Sequence, residues 1–423
     1  MRLLSSPHRL NLHPMMVEKL VSALDSQNQI KSPAVRQAFR AVPRHLFIAG
    51  GVAYMDSDSE AGPGEWVLRK VNQEEIYSDE PLVVKLRDGV SAVSCSAPSV
   101  VAQMLDNLDL EPGQKVLEVG TGTGWTAALI AHIVGGTGSM CSVEIDGEYA
   151  AQAKETLQSL SLPRGMGNVK VIHGDGSYGY GADAPYDRAI VHSSAPWIPR
   201  AWQDQLKAGG LLLAIRESPT SQQMLALRKV EGAGGESELI GAAVGPAFFA
   251  LLQGGTGIAT VSPGLGRDTP FGINLTNVEF PDPIPLPAKE EDRETFHLLQ
   301  NQDFLFYLDL HPLPLQQLLY WLNPDVPEFS NPRPVVVDAL SNEVLFGPEY
   351  DSTEETGIYG SAAILHRLNQ AKLEWRQLGS PRLVDYRFRA VPPGSVGTSD
   401  GTWQIPAPSE EYLDWVIEVC HNR

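Results

Sequence analysis

Hydrophobic positions between residues 115 and 217 alternate between short continuous runs and helical patterns. Strands are predicted for the runs KVLEV, SMCSVEI, VKVIHGDG, YDRAIVHSS and GLLLAIRE, and helices for WTAALIAHIV, GEYAAQAKETLQSL and the short AWQDQLKAGG. Continuous apolar strands separated by helices of about 10 residues indicate a mainly parallel sheet covered on both faces. The segment LIGAAVGPAFFALLQGG closes this block as a predicted edge strand. The pattern therefore predicts an α/β, Rossmann-like fold.

The sequence on either side of this block does not continue its regular alternation of strands and helices. Upstream, MVEKLVSALDSQ, SPAVRQAFRAV and residues 98–108 read as amphipathic helices, and EWVLRKV reads as a strand. Downstream, a Pro/Gly-rich stretch leads to predicted helices in TFHLLQNQDFLFYLDLH and GSAAILHRLNQAKLEWRQLG, and to short strands in PVVVDAL, EVLFG, VDYRFRAV and TWQI. The predicted division is an N-terminal helical segment on the substrate side, a core, a linker and a C-terminal α+β domain, at 1–90, 91–255, 256–290 and 291–423.

Composition and charge narrow the class of partner. Hydrophobic residues make up 43% and charged residues 20% of the 423 positions, as in globular proteins. The 32 basic and 51 acidic residues give a net charge of −19, which argues against nucleic acid or an anionic membrane as a partner. Three cysteines without a CxxC pair, no signal-peptide pattern and no apolar run of roughly 18 residues predict a cytoplasmic location. No metal site is predicted.

A glycine-rich turn links the first strand of the block to its helix. Gly120, Gly122 and Gly124 allow positive φ and close approach of a ligand, and the helix behind them offers unpaired N–H groups. The spacing is GxGxG rather than the GxGxxG of a pyrophosphate seat. Glu144 ends the next strand, where it would accept hydrogen bonds from ribose hydroxyls, and Asp175 ends the third, where an adenine amino group is expected.

These features together favour S-adenosylmethionine as the cofactor. One alternative is that the glycines only tighten a turn and that Glu144 is solvated. A second is a nicotinamide cofactor, which would need another Gly-rich turn or a proton-transfer dyad, and the sequence offers neither. The predicted cofactor-binding residues are Glu118, Gly120, Thr121, Gly122, Thr123, Gly124, Glu144, Ile145, Gly174, Asp175 and Gly176.

Several segments occur in the order found in one enzyme family. VPRHLFIAG, YSDEPLVVK and SCSAP precede the glycine turn, and GDG, YDRAIV, HSSAPWIP and QLKAGG follow it. Over roughly residues 15–255 the chain resembles the protein-L-isoaspartate O-methyltransferase family. The resemblance implies a class I S-adenosylmethionine-dependent methyltransferase that methylates a carboxylate of a peptide and releases S-adenosyl-L-homocysteine.

By this resemblance Ser96 takes the position of the family's active-site serine. Ser94, Pro98 and the residues His192, Ser193 and Ser194 would line the acceptor pocket. A carboxylate is already ionised at neutral pH, so positioning rather than a general base is the main catalytic device. Alternative roles are a helix cap for Ser96, with Ser94 as its competitor, and a strand-end structural role for His192. The family usually shows T-I-S-x-P, whereas Ser94 and Cys95 stand here in place of Thr-Ile.

The C-terminal segments EWRQLGSP and YRFRAVPPG resemble a bacterial subgroup of the family that modifies ribosomally made peptides such as lanthipeptides and graspetides. This resemblance implies an aspartate side chain in a cyclised precursor peptide as acceptor. Its methyl ester closes to a succinimide (aspartimide), which persists or hydrolyses to isoaspartate. The alternatives are repair of L-isoaspartyl residues in damaged proteins and a non-enzymatic cofactor-binding scaffold. In the C-terminal domain, most of Phe304, Phe306, Trp375, Tyr386 and Phe388 are predicted to be core residues rather than a peptide groove.

Overall fold

The computed structural model describes most of the residues from 12 to 420. The described ranges are 12–48, 52–56, 65–87, 90–159, 168–218, 221–232, 235–250, 252–253, 285–286, 289–299, 301–310, 315–319, 334–338, 343–346, 358–394 and 402–420. The predicted signal-free N-terminus and nearly all of the predicted linker at 256–290 lie outside these ranges.

The described N-terminal part contains three α-helices and a small antiparallel sheet. Its elements are α1 (Leu12–Ser26), α2 (Pro33–Ala41), β1 (Val52–Asp56), β2 (Glu65–Arg69), α3 (Gln73–Ile76), β3 (Leu82–Arg87) and β4 (Val90–Cys95). The described strands pair in the order β2-β1-β3-β4. Helix α2 begins as the Ser-Pro pattern predicts, because the Ser32 hydroxyl accepts hydrogen bonds from the N–H groups of Ala34 and Val35.

The central block alternates strands and helices along the chain. It consists of α4 (Pro98–Leu108), β5 (Lys115–Val119), α5 (Trp125–Val134), β6 (Ser139–Glu144), α6 (Gly147–Ser159), β7 (Val169–His173), β8 (Tyr186–Ala195), α7 (Arg200–Asp204), β9 (Leu206–Glu217), β10 (Gln222–Glu231) and β11 (Ser237–Pro246). Strands β7, β6, β5, β8 and β9 are parallel, whereas β10 and β11 are antiparallel to their neighbours. The strand order reverses between β5 and β8, which places a ligand crevice at their carboxyl ends. The predicted Rossmann-like fold is confirmed.

The described C-terminal part adds a third sheet and extends the central one. Its elements are β12 (Pro285–Leu286), α8 (Glu290–Leu298), α9 (Gln302–Leu310), β13 (Leu315–Leu319), β14 (Pro334–Asp338), β15 (Glu343–Phe346), β16 (Ile358–Gly360), α10 (Ala362–Gln377), β17 (Tyr386–Val391), β18 (Thr402–Ile405) and β19 (Asp414–Val419). Strands β12 to β16 form their own antiparallel sheet, while β17, β19 and β18 continue the central sheet beyond β11. The predicted helices and short strands of this region are confirmed.

Two expectations about the central sheet were wrong. Strand β11 is not an edge strand, because its outer side pairs with β17 in the register Leu239↔Ala390 to Ala242↔Arg387. The predicted helix AWQDQLKAGG is helical only over α7, and the chain is already extended from Leu206. The Gly209–Gly210 pair, which disfavours a helix, lies inside β9.

The central sheet is buried on both faces, as predicted for parallel strands. Val116 and Leu213 pack on the face covered by the N-terminal helices, whereas Leu117 and Leu212 pack on the face shared with the C-terminal part. The five aromatic residues considered for a peptide groove, Phe304, Phe306, Trp375, Tyr386 and Phe388, are all buried. Their prediction as core residues is confirmed.

Candidate functional site

The glycine turn lies between the carboxyl ends of β4 and β8. Gly120, Gly122 and Gly124 have φ values of +89°, +51° and +84°, a region that favours glycine. A Cβ atom on Gly120 would lie 3.3 Å from His192 Cβ, and one on Gly122 would lie 3.5 Å from the carbonyl oxygen of Ser94. The glycine turn, which is the predicted cofactor loop, therefore contacts Ser94 and His192, two residues predicted to line the acceptor pocket.

Glu144 is fixed against this turn by the backbone. Its Oε2 accepts a hydrogen bond from the Gly122 N–H at 2.8 Å, and its Oε1 accepts one from the Asp146 N–H at 2.9 Å. A carboxylate has about four acceptor sites, so two remain for hydroxyl donors such as those of a ribose. The next side chain, Ile145, is 38% exposed and offers an apolar surface beside the carboxylate. These contacts fit the predicted adenosine-binding role of Glu144.

The third strand end forms a tight turn around Asp175. Gly174 donates its N–H to the Glu144 carbonyl oxygen at 2.9 Å, which ties β7 to β6 at this edge. Asp175 Oδ1 accepts hydrogen bonds from the Ser177 N–H and hydroxyl at 2.9 and 2.7 Å, so it also caps the short turn that follows. Gly176 is buried, and its carbonyl oxygen accepts the indole N–H of Trp202 at 2.8 Å. Asp175 is thereby held half-buried at the edge expected for an adenine contact.

Glu118 lies beneath the glycine turn rather than at the surface. Its carboxylate is fully buried, and its Oε2 accepts a hydrogen bond from the Ser142 hydroxyl, which also pairs with the Thr121 hydroxyl. Its Oε1 is 3.2 Å from His192 Nε2, at ion-pair distance but not aligned for a hydrogen bond. Of the predicted cofactor-binding residues, Glu118 and Thr121 therefore form a support for the turn, whereas Thr123 is half-buried within it.

Ser96 stands between β4 and helix α4. The N-cap position of α4 is Ala97, which makes no side-chain cap, and Asp79 Oδ1 instead accepts the Ser99 N–H at 2.7 Å. The capping alternative for Ser96 is therefore not what the structure shows. Ser96 is half-buried and Ser94 is exposed, while Pro98 is buried in the first turn of the helix. Ser96 therefore lies just outside the first turn of α4, and a role in binding the acceptor stays a prediction.

Arg44 fixes the backbone of the Ser96 segment from behind. Its buried guanidinium donates hydrogen bonds to the Cys95 and Ser96 carbonyl oxygens at 3.0 and 2.9 Å and to those of Ile76, Ser78 and Glu80. These partners are neutral carbonyls, so the positive charge is not cancelled by a carboxylate hydrogen bond. In a chain of net charge −19, this cation supplies a local positive potential where a substrate carboxylate is expected.

The predicted acceptor residues of β8 are held by the chain that follows β11. We call His192–Ala195 the acceptor segment. Ser194 exchanges backbone hydrogen bonds with Ala250 and Leu252, each at 2.8 Å. The ring of Phe249 lies 6.4 Å from that of His192, and the Ser193 hydroxyl is buried with no hydrogen-bond partner among the described residues. The acceptor segment thus forms a fixed wall beside the glycine turn.

Sequence reasoning missed one residue that builds this wall. The side chain of Gln222 accepts the Phe249 N–H at 2.6 Å, donates to its carbonyl oxygen at 2.9 Å and reaches the Ser194 hydroxyl at 3.2 Å. Burial raises the pKa of the neighbouring Glu217 carboxyl, which accepts a hydrogen bond from Gln222 at 2.7 Å. A glutamine between two predicted strands carries no motif, so the sequence gives no signal for this role.

The described residues also bear on metals and membranes. In the part of the chain that the structure describes, no group of three or more His, Cys, Asp or Glu side chains is placed to hold a metal ion. Among the helices of those ranges, none has the length and apolar character needed to cross a membrane.

Comparisons with known proteins connect this site to one family. Residues 15–238 match the family model described as protein-L-isoaspartate(D-aspartate) O-methyltransferase (PCMT). The protein-L-isoaspartate O-methyltransferase of Methanothermobacter thermautotrophicus is 35% identical over 238 residues, covering 55% of this chain and 94% of that relative. The enzyme of the same name from Pyrococcus horikoshii is 38% identical over 215 residues, covering 51% and 84%. All predicted site residues lie inside the matched range.

Two solved structures are also similar. A protein-L-isoaspartate O-methyltransferase structure aligns with a TM-score of 0.48 at 20% identity, covering 88% of this chain and 96% of that chain. One from Plasmodium falciparum, in complex with S-adenosyl-L-homocysteine, aligns with a TM-score of 0.42 at 19% identity, covering 57% and 98%.

Proposed function

Because this chain belongs to the protein-L-isoaspartate O-methyltransferase family, we propose that it methylates a peptide carboxylate and that its acceptor is an L-isoaspartyl residue. The single observation that carries the proposal is the contact of the glycine turn with two elements: Gly122 donates its N–H to Glu144 at the end of β6, and it packs against the Ser94 carbonyl oxygen, two residues before Ser96. The relatives matched over most of their length bear the name of this activity, which supports isoaspartate as the first acceptor to test.

The residues at the strand ends fit S-adenosylmethionine. Glu144 would hold the ribose hydroxyls, Ile145 would cover one face of the adenine, and Asp175 would accept from its amino group. The positive φ of Gly120 and Gly122 lets the backbone approach the methionine part closely. When bound, the cofactor supplies an electrophilic methyl group on a sulfonium. Glu118, Ser142 and Thr121 keep the turn in place beneath it.

The chain's own contribution to methyl transfer is positioning. The acceptor carboxylate is ionised at neutral pH, so no residue has to remove a proton before it attacks. The Ser96 hydroxyl would donate a hydrogen bond to one carboxylate oxygen and leave the other directed at the methyl carbon. Arg44 fixes the Ser96 backbone, and the acceptor segment closes the opposite side. Orientation and exclusion of water therefore account for the rate enhancement that these residues supply.

A second acceptor is favoured by one observation. The family match ends at residue 238, and the chain continues through a C-terminal part whose segments EWRQLGSP and YRFRAVPPG resemble the peptide-tailoring subgroup. On that basis the acceptor would be an aspartate in a cyclised ribosomal peptide, with the ester closing to a succinimide. The unpaired cysteines Cys95, Cys141 and Cys420 support a cytoplasmic location for either reaction.

An intact-mass assay with S-adenosylmethionine distinguishes these acceptors. We expect a linear isoaspartyl peptide to gain the mass of one methyl group, while its aspartyl counterpart does not. Methylation only of an aspartyl peptide in cyclised form, followed by loss of methanol, would instead establish tailoring. No methylation of any acceptor despite cofactor binding would contradict the proposed activity.

Ser96→Ala is the residue-level test of the same proposal. We expect kcat to fall roughly 100-fold, because one preorganised donor to the reacting group is lost. Ser99→Ala is the matched control: it removes a hydroxyl from the same helix start but keeps the N–H that Asp79 accepts. A Ser96→Ala enzyme with unchanged kcat would assign the acceptor contact elsewhere, with Ser94 as the next candidate.

A further inference from the structure

The residues that directly follow the acceptor segment are clamped by the C-terminal end of the chain. We call Pro406–Trp415 the strap. The Trp415 indole N–H donates to the Pro196 carbonyl oxygen at 2.8 Å, and the Leu413 N–H donates to that of Ile198 at 3.0 Å. In the opposite direction, the Arg200 N–H donates to Glu411 O at 2.8 Å and the Trp197 indole donates to Pro406 O at 3.1 Å. The strap and residues 196–200 thus each donate hydrogen bonds to the other.

Residues 196–200 depend on these partners because of their own sequence. The segment PWIPR contains two prolines, which have no N–H and cannot contribute to a backbone ladder. Ile198 is fully buried, as are Leu413 and Trp415 from the strap. Water does not reach these positions to replace a lost donor, so the buried carbonyl oxygens of Pro196 and Ile198 rely on the strap.

A second contact from the C-terminal part is made at the β9–β10 turn, next to Gln222, which itself contacts the acceptor segment. Asp309 of α9 accepts hydrogen bonds from the hydroxyls of Ser218 and Ser221 at the β9–β10 turn. The next residue, Gln222, binds the Ser194 hydroxyl and both backbone groups of Phe249. The guanidinium carbon of the buried Arg216 lies over the rings of Phe306 and Trp415, 6.0 and 5.8 Å from their centroids.

We propose that the strap is a positioning element for the acceptor: it fixes residues 196–200, which directly continue the acceptor segment, in the geometry that receives the substrate peptide, without contacting the cofactor. This inference rests on the proposed methyl transfer for its kinetic test. The hydrogen bonds of the strap go to residues 196–200, directly after β8. Glu144 instead lies at the end of β6, which is separated from β8 by β5. Loosening the strap therefore weakens use of the acceptor more than binding of the cofactor.

Trp415→Phe in the full-length chain tests the strap with a small change of shape. It keeps an aromatic ring against Phe388 but removes the donor to the buried Pro196 carbonyl oxygen. We expect kcat/KM for the acceptor peptide to fall about tenfold, the effect of one unsatisfied buried carbonyl. The Kd for S-adenosyl-L-homocysteine should stay within about twofold of the value for the unmodified protein, because the substitution removes no predicted contact to the cofactor.

Trp403→Phe is the matched control. Trp403 lies in β18 of the same C-terminal part, and its described ring contacts are to Tyr307 and Tyr386. The same substitution there should leave kcat/KM and Kd unchanged. Trp197→Phe removes the partly exposed donor to Pro406 and should act in the same direction as Trp415→Phe, with an effect of about threefold. It decides the matter if Trp415→Phe does not fold.

Hydrogen exchange supplies a readout that does not require activity. The Arg200 N–H, which donates to Glu411, should exchange about tenfold faster in Trp415→Phe and at the normal rate in Trp403→Phe. Faster exchange without any methylation by the unmodified protein would support the strap while contradicting the proposed function. Unchanged exchange and kcat/KM in a folded Trp415→Phe, or a parallel loss of cofactor affinity, would overturn the strap.

Discussion

At the scale of single residues, Glu144 combines two tasks that are easily confused. Its carboxylate accepts two backbone N–H groups, which shapes the glycine turn, and it presents its remaining acceptor sites at the strand end. The alternative of a solvated Glu144 does not fit the structure, because only 6% of the residue's surface is exposed. In the proposed site, the same residue would therefore shape the local backbone and bind the cofactor.

Glu144→Gln should weaken binding of S-adenosyl-L-homocysteine roughly 10- to 100-fold. Hydrogen bonds to a charged acceptor contribute about 1.5–3 kcal/mol, and the amide would also present a donor to the backbone N–H groups. Titration calorimetry measures the Kd directly. At saturating cofactor, kcat should recover, because a uniform binding contact is lost rather than one made only in the transition state.

The neighbouring Glu148 provides the control for that substitution. Its side chain is 74% exposed and pairs with Lys85 Nζ at 2.7 Å. Glu148→Gln should change the Kd by no more than about twofold, as expected for an exposed ion pair. Equal weakening by both substitutions would mean that charge near α6, rather than ribose recognition, governs binding.

At the scale of elements, strands and helices that have their own hydrophobic periodicity could be predicted from the sequence. Which of these elements pack or pair with each other could not. The helix α4 has the predicted bounds Pro98–Leu108, because its apolar face and starting proline are local signals. The partner of β11 was missed because β17 lies about 140 residues further along the chain and no local pattern encodes that pairing. The support role of Glu118 was missed for a similar reason, since Ser142 and His192 come from other strands.

The contact between α1 and α2 predicts an acid-sensitive element. Hydrogen bonds from Arg36 and Arg40 lower the pKa of Asp25 and Glu18 below their ordinary values of 3.8 and 4.5. A lowered pKa stabilises the fold above the ordinary value, and the contribution is lost as the pH falls through the lowered one. We therefore expect α1 and α2 to loosen below about pH 4.

Intrinsic tryptophan fluorescence should follow this transition, because the ring of Trp125, one of eight tryptophans, lies 5.3 Å from that of Phe39 of α2. Asp25→Asn should flatten the acid-dependent change and lower stability slightly at neutral pH, because the bond to Arg36 is already weakened. Glu74→Gln, at an exposed position, should leave the acid titration unchanged. An Asp25→Asn curve that overlays the unmodified protein would assign the acid sensitivity to another element.

At the scale of the whole molecule, the C-terminal part is continuous with the catalytic sheet. Leu225, Leu227 and Leu239 of the central sheet share one hydrophobic cluster with Phe388 and Trp415. The domain boundary predicted at residue 255 stays a prediction. The central sheet itself continues across that position, because β11 pairs with β17. The family match, which ends at residue 238, does not reveal this continuity.

A fragment ending at residue 253 should consequently fail to fold as a stable monomer. It leaves the outer edge of β11 unpaired and exposes the cluster that Phe388 and Trp415 cover. Losing such aromatic contacts costs about 3–5 kcal/mol each. That loss is comparable with a total stability of roughly 5–15 kcal/mol. Size-exclusion chromatography and thermal unfolding by circular dichroism should show aggregates without a cooperative transition, whereas the full chain melts in one step. A monomeric fragment that melts at the temperature of the full chain would instead make the C-terminal part an independent domain docked on a self-sufficient sheet.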